Sequence, residues 1–327
     1  MEKVLVTQKK GNSDMAKLLA IRKKADINGA VIGLIALFVI FGVLSNSFLT
    51  GYNLLNIARQ CSINLMLAVG MTFVILTGGI DLSVGGVLAL AGTLTAGFIA
   101  GGMNTGLAII SGLLVGVVFG FASGVCIAFG KIPAFITTMA MLSIARALAL
   151  IYSGGYPITG LPASFSFIGT GHIGFMPVPV VIAVIIIAAG VFLLRKTLLG
   201  RYIYAIGGNA KAAEFSGINV KIWTVITYTI HGLLTGIAGL VLTARMNSGQ
   251  PGAASGIELD IIAAVVIGGT SMTGGKGGIF GTVVGALVIT VLNNGLTLLN
   301  VNPYLQGLII GIVILVAVFI DRRKENK

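Results

Sequence analysis

Two stretches set polar residues between glycine pairs in an otherwise apolar chain, and they are the first places to look for chemistry. The first is LTGGIDLSVGG, residues 76–86, with Thr77, Asp81 and Ser83. Asp81 is the only acid between Asp26 and Glu214. Two readings stand. Asp81 or Ser83 caps the first amides of the next helix, or the pair forms a gate or coupling element at the cytoplasmic mouth of a membrane pathway. An acid in an apolar setting is costly, and function is the usual reason for keeping one. The second stretch is IGGTSMTGGKGGIFG, residues 267–281, with Thr270, Ser271 and Lys276. It imitates a phosphate loop and fails. G-x-x-x-x-G-K-[ST] ending on Lys276 requires Gly at 270 and Ser or Thr at 277, where the chain has Thr270 and Gly277. A break between short helices, with Lys276 snorkelling, is expected instead. The two stretches share a pattern of Gly-Gly, polar residues and Gly-Gly, which points to a weak internal repeat of the kind transporters carry.

The remaining polar groups are scattered. Arg146 is the only basic residue deep within an apolar segment; it either finds an ion pair or carbonyls in the bundle, or touches a substrate. Asn64, Thr72, Thr77, Asn293, Asn294 and Gln306 offer neutral groups that suit a hydroxylated solute or bond helix to helix. Arg59, Arg245, Glu258 and Asp260 lie near the outer ends of their segments, as interfacial anchors or as a charged docking surface for an external protein. His172 and His231 are far apart in sequence, Cys61 and Cys126 sit in apolar surroundings, and the sequence holds no H-E-x-x-H, G-x-S-x-G or metal-ligand spacing. An intramembrane enzyme and a metal site are therefore disfavoured. GTGHIG at 169–174 matches a dinucleotide fingerprint by letter only, since loop residues and Pro177 surround it.

Composition says what must position these groups. Only 9% of the 327 residues are charged, 56% are hydrophobic, and mean hydropathy is +1.05. Soluble domains carry about 25% charged residues, so an all-α polytopic membrane protein is expected. The 48 glycines are about twice the usual ~7% and have no collagen-like period, which calls for close helix packing or broken helices. Gly112, Gly116, Gly120 and Gly124 recur every four residues and predict one face that a neighbouring helix approaches closely. Apolar segments fall at 29–45, 62–77, 84–100, 105–129, 133–151, 178–194, 222–242, 259–269, 277–295 and 304–320. A span needs roughly 20 apolar residues, so the short ones beside glycine pairs read as discontinuous helices lining a cavity.

Charge placement orients the chain. The net charge of +12 is concentrated in residues 1–28, 195–221 and the end of the chain, as the positive-inside rule requires, and nucleic acid is not indicated. Tails 1–28 and 321–327 should both be cytoplasmic, flanking a permease body at 29–320, with 29–45 an uncleaved first span. Ten spans then place 195–221, Lys131 and Lys276 inside, and 46–60, 152–177 and 243–258 outside. The inner stretch 195–221 holds its own helix signal: Asn209 as N-cap, AKAAEFS, and Gly217 just past the end. So short a helix is marginal alone and must dock on something.

The runs NSFLTGYNLLNIARQ, MTFVILTGGIDLSVGG, LGRYIYAIGGNAKAAEFSGINV, ELDIIAAVVIGGTSMTGGKGGIFGTVVGAL and LNNGLTLL, in order over residues 46 to 320, resemble permease subunits of ABC importers for monosaccharides. The resemblance implies a homodimer or paired permease in the bacterial cytoplasmic membrane. It also implies a cytoplasmic ATPase subunit that binds ATP and Mg, an extracytoplasmic sugar-binding protein, and no cofactor or catalysis in this chain. It makes Gly200–Val220 the ATPase-coupling loop, with Gly200, Arg201, Gly207, Gly208, Asn209, Lys211, Glu214, Phe215 and Gly217 as its candidate residues. Asp81, Ser83, Asn64, Thr77, Arg146, Thr270, Ser271, Asn293 and Asn294 are left as gate or pathway candidates. The implied cargo is a neutral monosaccharide, with ribose expected and other sugars, a signalling furanose or a nucleoside open. An ion-coupled secondary transporter is the more distant rival. Residues 1–28 and 152–177 match less well.

Overall fold

Backbone polar groups in lipid must be satisfied within the chain, and helices do this locally. The computed structural model describes residues 29–325; the expected tail at 1–28 and residues 326–327 lie outside the described residues. The elements in order are α1 (Gly29–Leu44), α2 (Gly51–Leu76), α3 (Val84–Ala100), α4 (Thr105–Ala128), α5 (Ala134–Ser153) and α6 (Ala163–Thr170). After the two-residue strands β1 (His172–Ile173) and β2 (Met176–Pro177) come α7 (Val178–Lys196), α8 (Leu198–Gly208) and α9 (Ala210–Phe215). The chain ends with α10 (Val220–Met246), α11 (Ile257–Ile267), α12 (Ile279–Leu298) and α13 (Pro303–Glu325).

Each of the ten apolar segments holds a helix, and among the described residues six helices, α2, α4, α5, α7, α10 and α12, are long and apolar enough to cross a membrane. The 11-residue α11 rises only about 16 Å at 1.5 Å per residue, half of a ~30 Å hydrocarbon core. It is a half-helix, as its length and flanking glycines foretold. The expected C-terminal tail at 321–327 begins inside α13.

Glycine organises the packing. The glycine face of α4 lies on α10, the most extensive helix pair in the bundle. A Cβ on Gly124 would stand 2.7 Å from the Val225 Cα, and one on Gly116 would strike the Gly232 carbonyl. Backbones this close leave no room for even a methyl group. α2 runs through the centre, mostly buried, against α10, α12, α7 and α11.

Two regions differ from expectation. Residues 152–177 are not plain loop: they contain α6 and the β1–β2 hairpin, and Ile158 pairs with Gly249. The GTGHIG run falls across the end of α6 and the start of that hairpin, the reverse of a nucleotide-binding strand–turn–helix. Stretch 195–221 holds α8 as well as α9. Leu199, Ile203 and Ile206 give α8 a buried face, and Tyr202 meets Trp223 of α10 edge to face at 4.9 Å.

Candidate functional site

The end of the bundle rich in Lys and Arg, here the basic end, gathers three glycine-containing segments at one point. Gly207, near the end of α8, sits where a side chain would strike the Leu76 carbonyl and the Gly275 amide. Those two groups are themselves bonded, Gly275 N donating to Leu76 O at 2.9 Å. A Cβ on Gly274 would lie 2.8 Å from the Gly78 nitrogen and 3.0 Å from the Gly207 Cα. The end of α2, the 268–278 break and α8 are therefore in backbone contact. Tyr204 adds a bond from its hydroxyl to the Gly277 carbonyl at 3.0 Å. Burial raises the Tyr204 pKa above its ordinary value, so at neutral pH the hydroxyl keeps its proton to donate. Gly200 abuts the Leu194 carbonyl and fixes the corner between α7 and α8.

From this junction α9 projects outward. The Asn209 Oδ1 accepts from Ala212 N at 3.0 Å. At the other end Gly217 takes φ +82°, Ile218 N bonds Ala213 O, and Gly217 N bonds Glu214 O. That pair of bonds is a Schellman motif. Arg201, Lys211 and Glu214 are exposed, and Phe215 is 92% exposed. Gly208, unlike Gly207, faces open space.

The break between α2 and α3 is gripped by α10. The Asp81 Oδ1 accepts from Ser83 N at 2.8 Å and Ser83 Oγ at 2.6 Å. Asp81 thus turns the chain into α3, and Ser83 occupies the N-cap position without a cap bond of its own. The Asp81 Oδ2 lies 3.8 Å from His231 Nε2, with both residues almost wholly buried. A Cβ on Gly70 would collide with the His231 ring, so α2 and α10 close upon it. Tyr228, one turn before His231, donates to the Ile80 carbonyl at 3.0 Å. His231 lies eleven residues into α10, about 16 Å from its start, and Asp81 beside it is buried.

His231 and Tyr228 were missed in the sequence as partners of this break. Their i, i+3 spacing on a helix that must face Asp81 was the available signal. Near the second break, Thr77 bonds back to the Val74 carbonyl, and the Ser271 Oγ meets Thr273 Oγ1 at 2.9 Å. Thr270 is buried under Gly277.

At the far end an open cleft of about 300 Å³ lies between α2, α10, α11 and α12. Gln60, Asn64, Arg245, Asp260, Thr290 and Asn293 line it, beside Ile63, Leu242, Met246 and Ile257. Asn64 Nδ2 donates to Thr290 Oγ1 at 3.1 Å, Asn293 Nδ2 to Asp260 Oδ2 at 3.3 Å, and Arg245 Nη2 to Asn56 Oδ1 at 3.1 Å. Arg245 and Asp260, expected on a docking surface, share this cleft with the pathway candidates Asn64 and Asn293.

Other candidates have bonds of their own outside the cleft. Asn294 turns away from the cleft and exchanges amide bonds with Asn53 at 2.9 and 3.0 Å, clamping α12 to α2. The Arg146 Nη1 donates to the Pro251 and Ala253 carbonyls at 2.7 Å each, so its charge is spent on the turn before α11. Arg59 bonds His172 of the hairpin at 2.9 Å. The Glu258 Oε2 is buried where a Cβ on Gly85 would be 2.8 Å away.

Broken helices around a cleft that holds several polar groups, joined at the opposite end to an exposed helix, fit a multi-pass solute permease. Residues 53–318 match the family described as Branched-chain amino acid transport system / permease component, and the chain belongs to it. It is similar to the ribose import permease protein RbsC of Bacillus subtilis (strain 168), 49% identical over 299 residues covering 91% of this chain and 93% of the relative. The protein of the same name from Escherichia coli (strain K12) is 45% identical over 300 residues, 90% of this chain and 94% of its own. The D-allose transport system permease protein AlsC of Escherichia coli (strain K12) is 40% identical over 300 residues, 91% and 92%. No solved structure matches the chain significantly.

Proposed function

We propose that the chain is the membrane-spanning subunit of an ATP-driven importer for a neutral monosaccharide, with ribose the first candidate. The similarity to two ribose permeases at 45–49% identity supports that sugar over allose, whose named permease is 40% identical. The basic end faces the bacterial cytoplasm, where Arg201, Lys211 and Lys221 obey the positive-inside rule, and both termini lie on that side. A separate cytoplasmic ATPase binds ATP and Mg and receives α9. A second permease copy completes the channel, and an extracytoplasmic binding protein delivers sugar.

The backbone junction at Gly207 carries this reading. Close-packed backbone cannot absorb displacement, so a push on α8 and α9 moves the end of α2 and the 268–278 break together. Closure of the ATPase pair would then tilt the two broken segments. The α10 grip on residues 79–81 turns that tilt into a switch between inward- and outward-facing pathways.

The test is made in proteoliposomes holding permease, ATPase and binding protein. Gly207→Ala should abolish sugar-stimulated ATP hydrolysis, and Gly208→Ala should retain it. Normal stimulation in Gly207→Ala would overturn the coupling role. A second reading has one observation in its favour: Asp81 and His231 form a buried titratable pair of the kind a proton-coupled carrier needs. Uptake that persists without the ATPase and collapses with an uncoupler would establish it instead.

A further inference from the structure

We propose that the far-end cleft is a sugar-binding site of the permease itself, so that cargo is selected a second time after delivery. The inference rests on the importer reading above. A hydroxyl both donates and accepts, and a polyol therefore needs groups of both kinds on several sides. The cleft supplies them from four helices, α2, α10, α11 and α12. Gln60 of α2 makes no side-chain bond among the described residues, and the Asn293 Oδ1 is buried without a partner. Asp260 and Arg245 add an acceptor and a donor that keep unused capacity, each having one side-chain bond among the described residues. Ile63 and Ile257 offer apolar surface to the C–H face of a ring. The volume, about 300 Å³, stands at the lower end of the ~300–1,000 Å³ usual for small-molecule sites.

A surface for docking another protein would present its charges outward. Here Asp260 accepts a bond from Asn293 within the cleft. The polar lining holds three amides and a hydroxyl, from Gln60, Asn64, Asn293 and Thr290, beside the charges of Arg245 and Asp260.

The experiment measures ribose transported per ATP hydrolysed in proteoliposomes with the ribose-loaded binding protein at saturation. It compares wild type, Gln60→Ala and Asp260→Asn; Gln60→Ala removes no bond from the described fold. Both variants should lower the ratio about tenfold, the loss of roughly one hydrogen bond to the cargo. The half-saturating concentration of binding protein and the stimulated ATPase rate should stay within about twofold. Wild-type ribose uptake with an unchanged ratio in both variants would overturn the site and leave the importer reading standing. A raised half-saturation with an unchanged ratio would return Asp260 to a docking role. Wild-type uptake of leucine but not ribose would overturn the importer reading itself.

Discussion

The two ends of the bundle solve opposite problems. At the basic end contact is made by backbone: the Gly207 position touches the Leu76 carbonyl and the Gly275 amide with no side chain between. At the far end contact is made by side chains, with Asn64, Asp260 and Asn293 standing around open space. A part that transmits force must be incompressible, and backbone packed on backbone is. A part that holds and releases a solute must have room and exchangeable hydrogen bonds. The difference shows in what each end tolerates. The basic end should accept no added atom, and the far end should accept isosteric change at a graded cost.

Substitutions test that contrast in descending order of effect. Gly207→Ala should be the most damaging, with stimulated ATPase activity falling at least 100-fold in reconstituted complex. Gly70→Ala comes next. Its Cβ would meet the His231 ring, and overpacking should cost about 1–3 kcal/mol, read as a lower melting temperature in detergent. A Gly70→Ala protein as stable as wild type would show that α2 can shift away from α10. Asn53→Ala strands the Asn294 amide and should cost a similar ~1–3 kcal/mol, while Asn53→Ala with Asn294→Ala should cost less than the two single losses added. Tyr204→Phe removes one bond to the Gly277 carbonyl and should lower coupling only a few-fold, about 1 kcal/mol. Gly208→Ala should change nothing, since its Cβ meets open space. If Gly208→Ala and Gly207→Ala behaved alike, the backbone contact at 207 would not be the transmitting element.

Much of this architecture was legible in the sequence. Glycine spacing on α4 located its close approach to α10, and the half-length segment at 259–269 marked α11 as a broken helix. Asn209 and Gly217 marked both ends of α9. These are local rules, one residue type doing one geometric job. The rest depended on tertiary context. Which way Asp260 turns on an 11-residue helix is decided by packing against α12, so its bond to Asn293 was not legible. His231 looked like an isolated span histidine because Asp81 is 150 residues away in sequence and adjacent only in the fold. α8 was hidden by the charges around it, although Leu199, Ile203 and Ile206 carry its buried face at helical spacing.

The central claim is that α8 and the second break move as one body. Nitroxide labels at Arg201 on α8 and Met272 in the break, both exposed, allow it to be measured by pulsed dipolar spectroscopy in the reconstituted complex. The distance between them should be the same in nucleotide-free and ATP-trapped states, while that from Arg201 to a label at exposed Tyr156, at the far end, changes. An Arg201–Met272 distance that changes between the two states, in a complex that still transports sugar, would contradict the account.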